Sequence, residues 1–167
     1  LKAIADLCRK VRDAAGKGNP RLQVTAALSP FVPKPFTPFQ WVEQISQEEI
    51  QRRVQVVRNE FKGQKFLKLR WHEPAMSHLE GILSRADRRL ADVVEKVYRK
   101  GGIFTSWIEG FDLAPWLEAL EECGLTADEF TRDRSMDEYL PWEHLEAGVS
   151  PAFLRREYER ALAGKVT

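Results

Sequence analysis

The stretch Arg21–Trp41, RLQVTAALSPFVPKPFTPFQW, decides the fold. Leu22, Val24, Ala26 and Leu28 alternate with Gln23, Thr25 and Ala27, the period of two that marks a strand, and the Asn19-Pro20 turn precedes it. The strand then breaks into a loop with Pro30, Pro33, Pro35 and Pro38, four of the chain's nine prolines. Each proline locks its φ near about −65° and biases the residue before it to extended backbone. Phe31–Thr37 is therefore expected to be stiff and close to polyproline geometry, holding Lys34, Phe36 and Phe39 in place without a helix or a ladder.

Working outward, Leu1–Ala15 reads as an amphipathic helix with Leu1, Ile4, Cys8, Val11 and Ala15 on one stripe, closed by Gly16. Downstream, Ser46-x-x-Glu49 makes a capping box for a helix whose apolar face is Ile50, Val54, Val57 and Phe61, ending at Gly63. A second strand follows over Lys65–Trp71, where Leu67, Leu69 and Trp71 alternate with Lys68 and Arg70. Strand, helix, strand at these lengths is a right-handed βαβ crossover, and so a parallel pair. The basic face of the second strand is expected at a sheet edge, where Lys discourages edge-to-edge aggregation.

After Pro74 the strand signals stop. Helices are expected over Met76–Leu83, over Arg85–Lys100 from Ser84-x-x-Asp87 to Gly101-Gly102, over Leu113–Cys123 before Gly124, and in a short turn after Thr126. Residues Arg132–Val149 look irregular and pinned by Tyr139 and Trp142. Ser150-Pro151 then starts a last helix, Pro151–Ala163, with Phe153, Leu154, Tyr158 and Leu162 inward. The fold class is thus α/β plus α: residues 1–72 hold the βαβ part and residues 73–167 an all-helical extension.

Composition narrows the function classes. A chain of 167 residues with 43% hydrophobic and 31% charged side chains is an ordinary globular protein, and a net charge of +1 gives no overall field for nucleic acid. No apolar run reaches membrane-spanning length and no signal peptide is visible, so a cytoplasmic protein without membrane contact is expected. Cys8 and Cys123 are the only cysteines, read as two thiols rather than a disulfide. His72, Glu73, His78 and Glu80 are of metal-ligand type, but their spacing fits no zinc pattern, and no metal site is expected.

Four motifs in order carry a resemblance: SPFVPKPFTPFQW; WHEPAMSHLEGILSRADRRL; SWIEGFDLAPW with Trp107 and Trp116; and LPWEHLEAGVSPAFL. Together, over most of Leu28–Tyr158, they resemble the closing part of radical S-adenosylmethionine enzymes, in particular an uncharacterised iron-sulfur oxidoreductase family whose full-length members begin with a cobalamin-binding-like domain. The resemblance implies that residues 1–72 are the two-stranded remnant of a partial (β/α) barrel, with the helical part packed against it. It also implies that a missing N-terminal part of the same polypeptide supplies a four-iron, four-sulfur (4Fe-4S) cluster through CxxxCxxC, S-adenosylmethionine and, as a further candidate, cobalamin. This chain has no such motif, and Leu1 is mid-helix by pattern without an initiator Met, so a C-terminal fragment, inactive alone, is expected.

Sites in such barrels collect at the C-terminal ends of the strands. That rule makes Ser29, Phe31 and Lys34 candidate cofactor contacts, the backbone and aromatic face bordering the adenine and Lys34 near a carboxylate or phosphate; the competing reading is a rigid rim whose aromatics only pack. His72, at the other strand end, is a candidate proton carrier or substrate donor. Arg85, Arg88 and Arg89 form a candidate anion site because guanidinium forks bind phosphate or carboxylate bidentately, against which Glu80 and Asp92 lie within helical reach. The family has Gly where Ala86 stands here, which weakens any requirement for a sharp turn. Trp107, Trp116 and Trp142 read as packing anchors.

Two other functions compete with the enzymatic one. Arg85, Arg88 and Arg89 with Lys68 and Arg70 could make a helical module that binds RNA, or the extension could simply cap the barrel. Two strands do not complete a sheet, and unpaired backbone at the outer edge invites strand pairing. Self-association through that edge, as a homodimer, is therefore expected; light scattering that returns a monodisperse monomer contradicts it.

Overall fold

In a computed structural model the described residues are 1–16, 18–19, 21–103 and 111–165. Pro20 and Trp107 lie outside them. The described residues form seven helices and one two-stranded parallel sheet, a mixed and mostly helical architecture. None of the described helices is long and apolar enough to cross a membrane. The chain divides into two compact units: Leu1–Phe31 with Ile45–Pro74, and Val32–Gln44 with the residues from Ala75 onward. The first unit ends at Pro74, and Val32–Gln44, with Pro33, Pro35 and Pro38 of the proline loop, belongs to the second.

In the first unit, α1 (Lys2–Gly16), β1 (Val24–Leu28), α2 (Gln47–Phe61) and β2 (Leu67–Trp71) build one βαβ crossover with a leading helix. β1 and β2 run parallel, with Val24 opposite Leu67 and Leu28 opposite Trp71. Ala26 and Leu67, flanked by Val24, Leu28 and Leu69, meet Ala5 and Cys8 of α1 and Val57 and Phe61 of α2 in one core. Burial of each large member contributes about 1.5–3 kcal/mol. α1 departs from its expected stripe: Leu1, Val11 and Ala15 are exposed, as is Leu7 outside it, and Ala5 is buried instead. Two strands are too narrow to cover all of its apolar surface.

Ser46 caps α2, its Oγ accepting the Glu49 N–H at 3.2 Å. The carboxylate of Glu49 does not close the expected box. It takes Arg52 and Arg53 instead, each at 2.6 Å.

The second unit contains α3 (Pro74–Arg85), α4 (Leu90–Arg99), α5 (Ala114–Glu122), α6 (Ala127–Thr131) and α7 (Pro151–Leu162). Its main core joins Leu79 and Ile82 of α3, Val93 and Val97 of α4, Trp116 and Leu120 of α5, and Phe130 of α6. A second cluster sets Trp41 of the proline loop among Leu140, Trp142 and Leu154, with Tyr158 flanking Trp41 at 5.6 Å between ring centroids. Several expectations are corrected here. Ser84 and Arg85 end α3 rather than starting the next helix, because Ser84 Oγ donates back to the Glu80 carbonyl at 2.6 Å and Asp87 accepts the Arg89 N–H in a turn of its own. Phe153, Leu162 and Tyr139 face outward; Leu154 and Trp142 alone do the burying expected of them, with Tyr158 half-buried.

The proline loop is not polyproline-like throughout. Phe36 sits at φ 57°, a left-handed conformation that costs a non-glycine residue about 1–3 kcal/mol. It is held there by the Gln40 Oε1, which accepts the Phe36 N–H at 2.9 Å, and by Thr37 Oγ1, which donates to the Lys34 carbonyl at 2.7 Å.

The start of α2 makes an acid-sensitive prediction. Hydrogen bonds from Arg52 and then Arg53 hold the Glu49 carboxyl down at about 2. A folded value below the unfolded one means that these bonds stabilise the fold fully above the ordinary carboxyl range and stop doing so as pH falls through about 2. An NMR titration is expected to place the Glu49 midpoint near 2, and a midpoint in the ordinary Glu range would show that the two pairs do not persist.

Candidate functional site

In the parallel pair, alternation sorts the side chains onto two faces. Val24, Ala26, Leu28, Leu67 and Leu69 turn to α1 and α2. The opposite face carries Thr25, Ala27 and Ser29 from β1 and its continuation, and Lys68, Arg70 and His72 from β2 and its continuation; all six are exposed. Thr25 stands beside Lys68 and Ala27 beside Arg70. The His72 N–H donates to the Leu28 carbonyl at 3.0 Å, so the ladder continues past Trp71 and brings Ser29 level with His72. A strip of small and hydroxyl side chains therefore runs alongside a strip of cationic and titratable ones.

The hydrogen bonds at the two ends of the ladder also fix which way the backbone faces. Val24 donates to Phe66 and Leu28 accepts from His72, so Val24, Ala26 and Leu28 turn their polar groups toward β2. Thr25 and Ala27 turn theirs to the outer edge of β1, where no strand pairs among the described residues. A groove of about 560 Å³ lies at the other end of the sheet, lined by Arg9, Arg12, Gly63, Lys65 and Phe66, with Arg12 stacked 4.5 Å from the Phe66 ring centre. It is at the N-terminal end of β2, away from the strand ends where (β/α) sites form.

Of the remaining expected site residues, Phe31 is exposed in the first unit. Lys34 belongs to the second, where its Nζ reaches Glu80 at 2.5 Å and Ser84 Oγ at 3.4 Å. Arg88 is exposed and forms no ion pair among the described residues. Arg89 is bound to Asp87 at 2.8 Å and to Glu129 at 3.4 Å, and the Arg89 hydrogen bond is the first cause of the depressed Asp87 carboxyl. The three arginines do not converge on a common point, since one is buried and another is committed to carboxylates.

Arg85 is the buried one, at 0% exposure. Its Nη1 donates to the carbonyls of Val42 at 3.0 Å and Thr131 at 3.2 Å, and its Nη2 to those of Arg132 at 2.9 Å and Gln40 at 3.5 Å. Burial first, then the charges of Arg134 and Arg132, push its pKa down to about 10, so it is still cationic at neutral pH. With both terminal nitrogens directed at carbonyls, the guanidinium has no fork left for an anion. Arg134 completes the arrangement by donating to the Arg85 carbonyl at 3.2 Å while stacking 5.4 Å from the Trp142 ring centre. Sequence reasoning passed over Arg134 and Gln40. A buried Gln between two aromatics in PFQW was the one available signal; its Oε1 also accepts the Trp142 Nε1–H at 2.8 Å.

Among the described residues no three His, Cys, Asp or Glu side chains come together as metal ligands, and both Cys8 and Cys123 are free thiols. Compared with family models, curated proteins and solved structures, the chain finds no match.

Arg85→Lys and Arg85→Met are each expected to lower stability by about 3 kcal/mol, the order seen when several buried carbonyls lose their donor. Arg88→Met, at the surface, is expected to stay within about 0.5 kcal/mol of the parent. Urea unfolding checks both, and equal small effects would mean that Arg85 does not hold the loop.

Proposed function

We propose that this chain is the C-terminal part of a radical S-adenosylmethionine iron-sulfur enzyme. In this reading the first unit supplies two strands of a partial (β/α) barrel and the second unit a helical extension. The observation that carries it is the one-sided cover of the parallel sheet: α1 and α2 pack on the same face, as helices do around a barrel, whereas open doubly wound sheets place helices on both. The bare face is then lumen wall, and the unpaired edge of β1 adjoins an earlier strand. The outward Leu7 and Val11 of α1 suit contact with an earlier helix. The four ordered sequence motifs support the same assignment.

The residues present do not fit the iron-sulfur cluster. Cys8 lies under the sheet and Cys123 belongs to the other unit, whereas such a cluster takes Cys thiolates set close in sequence. The cluster, S-adenosylmethionine activation and any cobalamin are therefore assigned to the rest of the polypeptide. What this chain contributes is wall and positioning: Ser29 and Phe31 just after β1, and His72 just after β2, at the strand ends where substrate and cofactor meet in barrels. Lys34 already serves Glu80 and Ser84. A stand-alone helical RNA-binding module is the weaker reading, because burial of Arg85 and pairing of Arg89 leave only Arg88 of the helical cluster, while Lys68 and Arg70 belong to the other unit.

The test joins this chain to the region encoded ahead of it and measures reductive cleavage of S-adenosylmethionine to 5′-deoxyadenosine after anaerobic cluster reconstitution. Cysteines in CxxxCxxC are expected upstream, with turnover that depends on the present chain. An upstream frame without cluster ligands, or turnover indifferent to this chain, would sink the assignment.

A further inference from the structure

Many cations of this protein are answered by carboxylates. Arg52 and Arg53 share Glu49, Lys96 and Lys100 share Glu122, Arg99 takes Glu95 and Arg132 takes Glu138. Lys68 and Arg70, with His72 beyond them, are not, and what sets them apart from other unanswered cations such as Lys62 and Lys65 is their place. They follow one another on one face of one strand, roughly 6.6–6.8 Å apart along the chain. Their neighbours on β1 are Thr25, Ala27 and Ser29, none of them acidic, and no ion pair reaches the three among the described residues. Like charges side by side on a sheet face are destabilising, and solvated sheet faces are normally balanced by opposite charges across the strands. Here the balance is missing on the face that parallel sheets ordinarily keep covered.

From this juxtaposition we infer that the face formed by Lys68, Arg70 and His72 with Thr25 and Ser29 binds the phosphate group of a small phosphorylated molecule, the substrate class of the proposed barrel. The inference rests on the barrel reading for its enclosure but on the charge pattern for its chemistry. Lys68 supplies a mobile point charge and Arg70 a planar fork, which together suit a phosphate better than a carboxylate. The small side chains of Thr25 and Ala27 leave room above β1 for the ligand, and the hydroxyls of Thr25 and Ser29 offer donors beside it. A polyanion is disfavoured as the occupant. Two cations in one strand make a spot rather than a track. A gatekeeping role against aggregation accounts for one lysine at an edge, but not for an unbalanced series across the face.

The experiment titrates the chain with inorganic pyrophosphate and, separately, with single-stranded RNA at matched phosphate concentration and low salt, followed by amide NMR. Pyrophosphate is expected to shift residues 25–29 and 68–72, with binding weakened at least about tenfold by Lys68→Gln or Arg70→Gln, and unchanged by Arg88→Gln, a charge-matched control in the other unit. Both substituted positions are exposed, and circular dichroism confirms that the variants fold. Absence of shifts at the two strands, insensitivity to both substitutions, or tighter binding of RNA than of pyrophosphate each overturns the inference. These outcomes are independent of the cluster test: binding without upstream cluster ligands removes the enzyme and keeps the site, while turnover without binding removes only the site.

Discussion

A parallel strand pair is stable only where its faces are covered, because its slanted hydrogen bonds are weaker than an antiparallel ladder and two strands alone bury too little. In this protein the cover comes from one side. α1 and α2 converge on the face of Val24, Ala26, Leu67 and Leu69, and everything distinctive about the first unit follows from that choice. The alternation of strands forces the remaining side chains onto the other face, so a sequence with apolar residues at one parity delivers Thr25, Ala27, Lys68 and Arg70 to a single uncovered surface. The same phase sends the backbone of Thr25 and Ala27 to an open edge.

The second unit is organised by a different constraint, a cation with no carboxylate at its terminal nitrogens. A buried guanidinium is costly unless its donors are met, and Arg85 meets those of its two terminal nitrogens with backbone dipoles, leaving its Nε–H without a partner among the described residues. Two of its four carbonyls, those of Thr131 and Arg132, are C-terminal acceptors of α6, where positive charge is favoured. The other two belong to Gln40 and Val42 in the proline loop. One side chain thus closes a helix end and ties an irregular segment to it, while the apolar cluster of Trp41, Leu140, Trp142 and Leu154 shields that segment from water. The prolines limit what the loop can do; Arg85 and Gln40 select what it does.

Periodicity made the first unit legible. The alternation of Val24, Ala26 and Leu28, the Ser46 cap and the Leu67-Leu69 pattern were enough for the parallel crossover, because one-face burial leaves a local imprint. The extent of α1's contact was not readable, since Val11 is as apolar as Ile4 and only the width of the sheet decides which is covered. Nor was the turn at Phe36 readable: its left-handed backbone answers to Gln40 four residues on, not to its own identity. SRADRRL misled for a related reason. Ser84 and Asp87 have the spacing of a helix start, yet burial of Arg85 carries α3 to that residue and leaves Asp87 to a turn.

The contrast among the arginines shows why residue type alone does not mark a binding site. Arg85, Arg89 and Arg70 have the same fork and the same charge. Arg85 is buried with both ends of the fork on carbonyls, so removing it would take a donor from each of four acceptors, of which Thr131 keeps another in the Gln44 N–H; its geometry serves the fold. Arg89 is exposed but already matched by Asp87 and Glu129, and an incoming anion would have to displace a carboxylate to reach it. Arg70 is exposed, unmatched, and flanked by Lys68 on the same face. Binding energy is available only where donors are both accessible and unanswered. By that criterion the uncovered sheet face is the better candidate site, although SRADRRL has the denser charge in sequence.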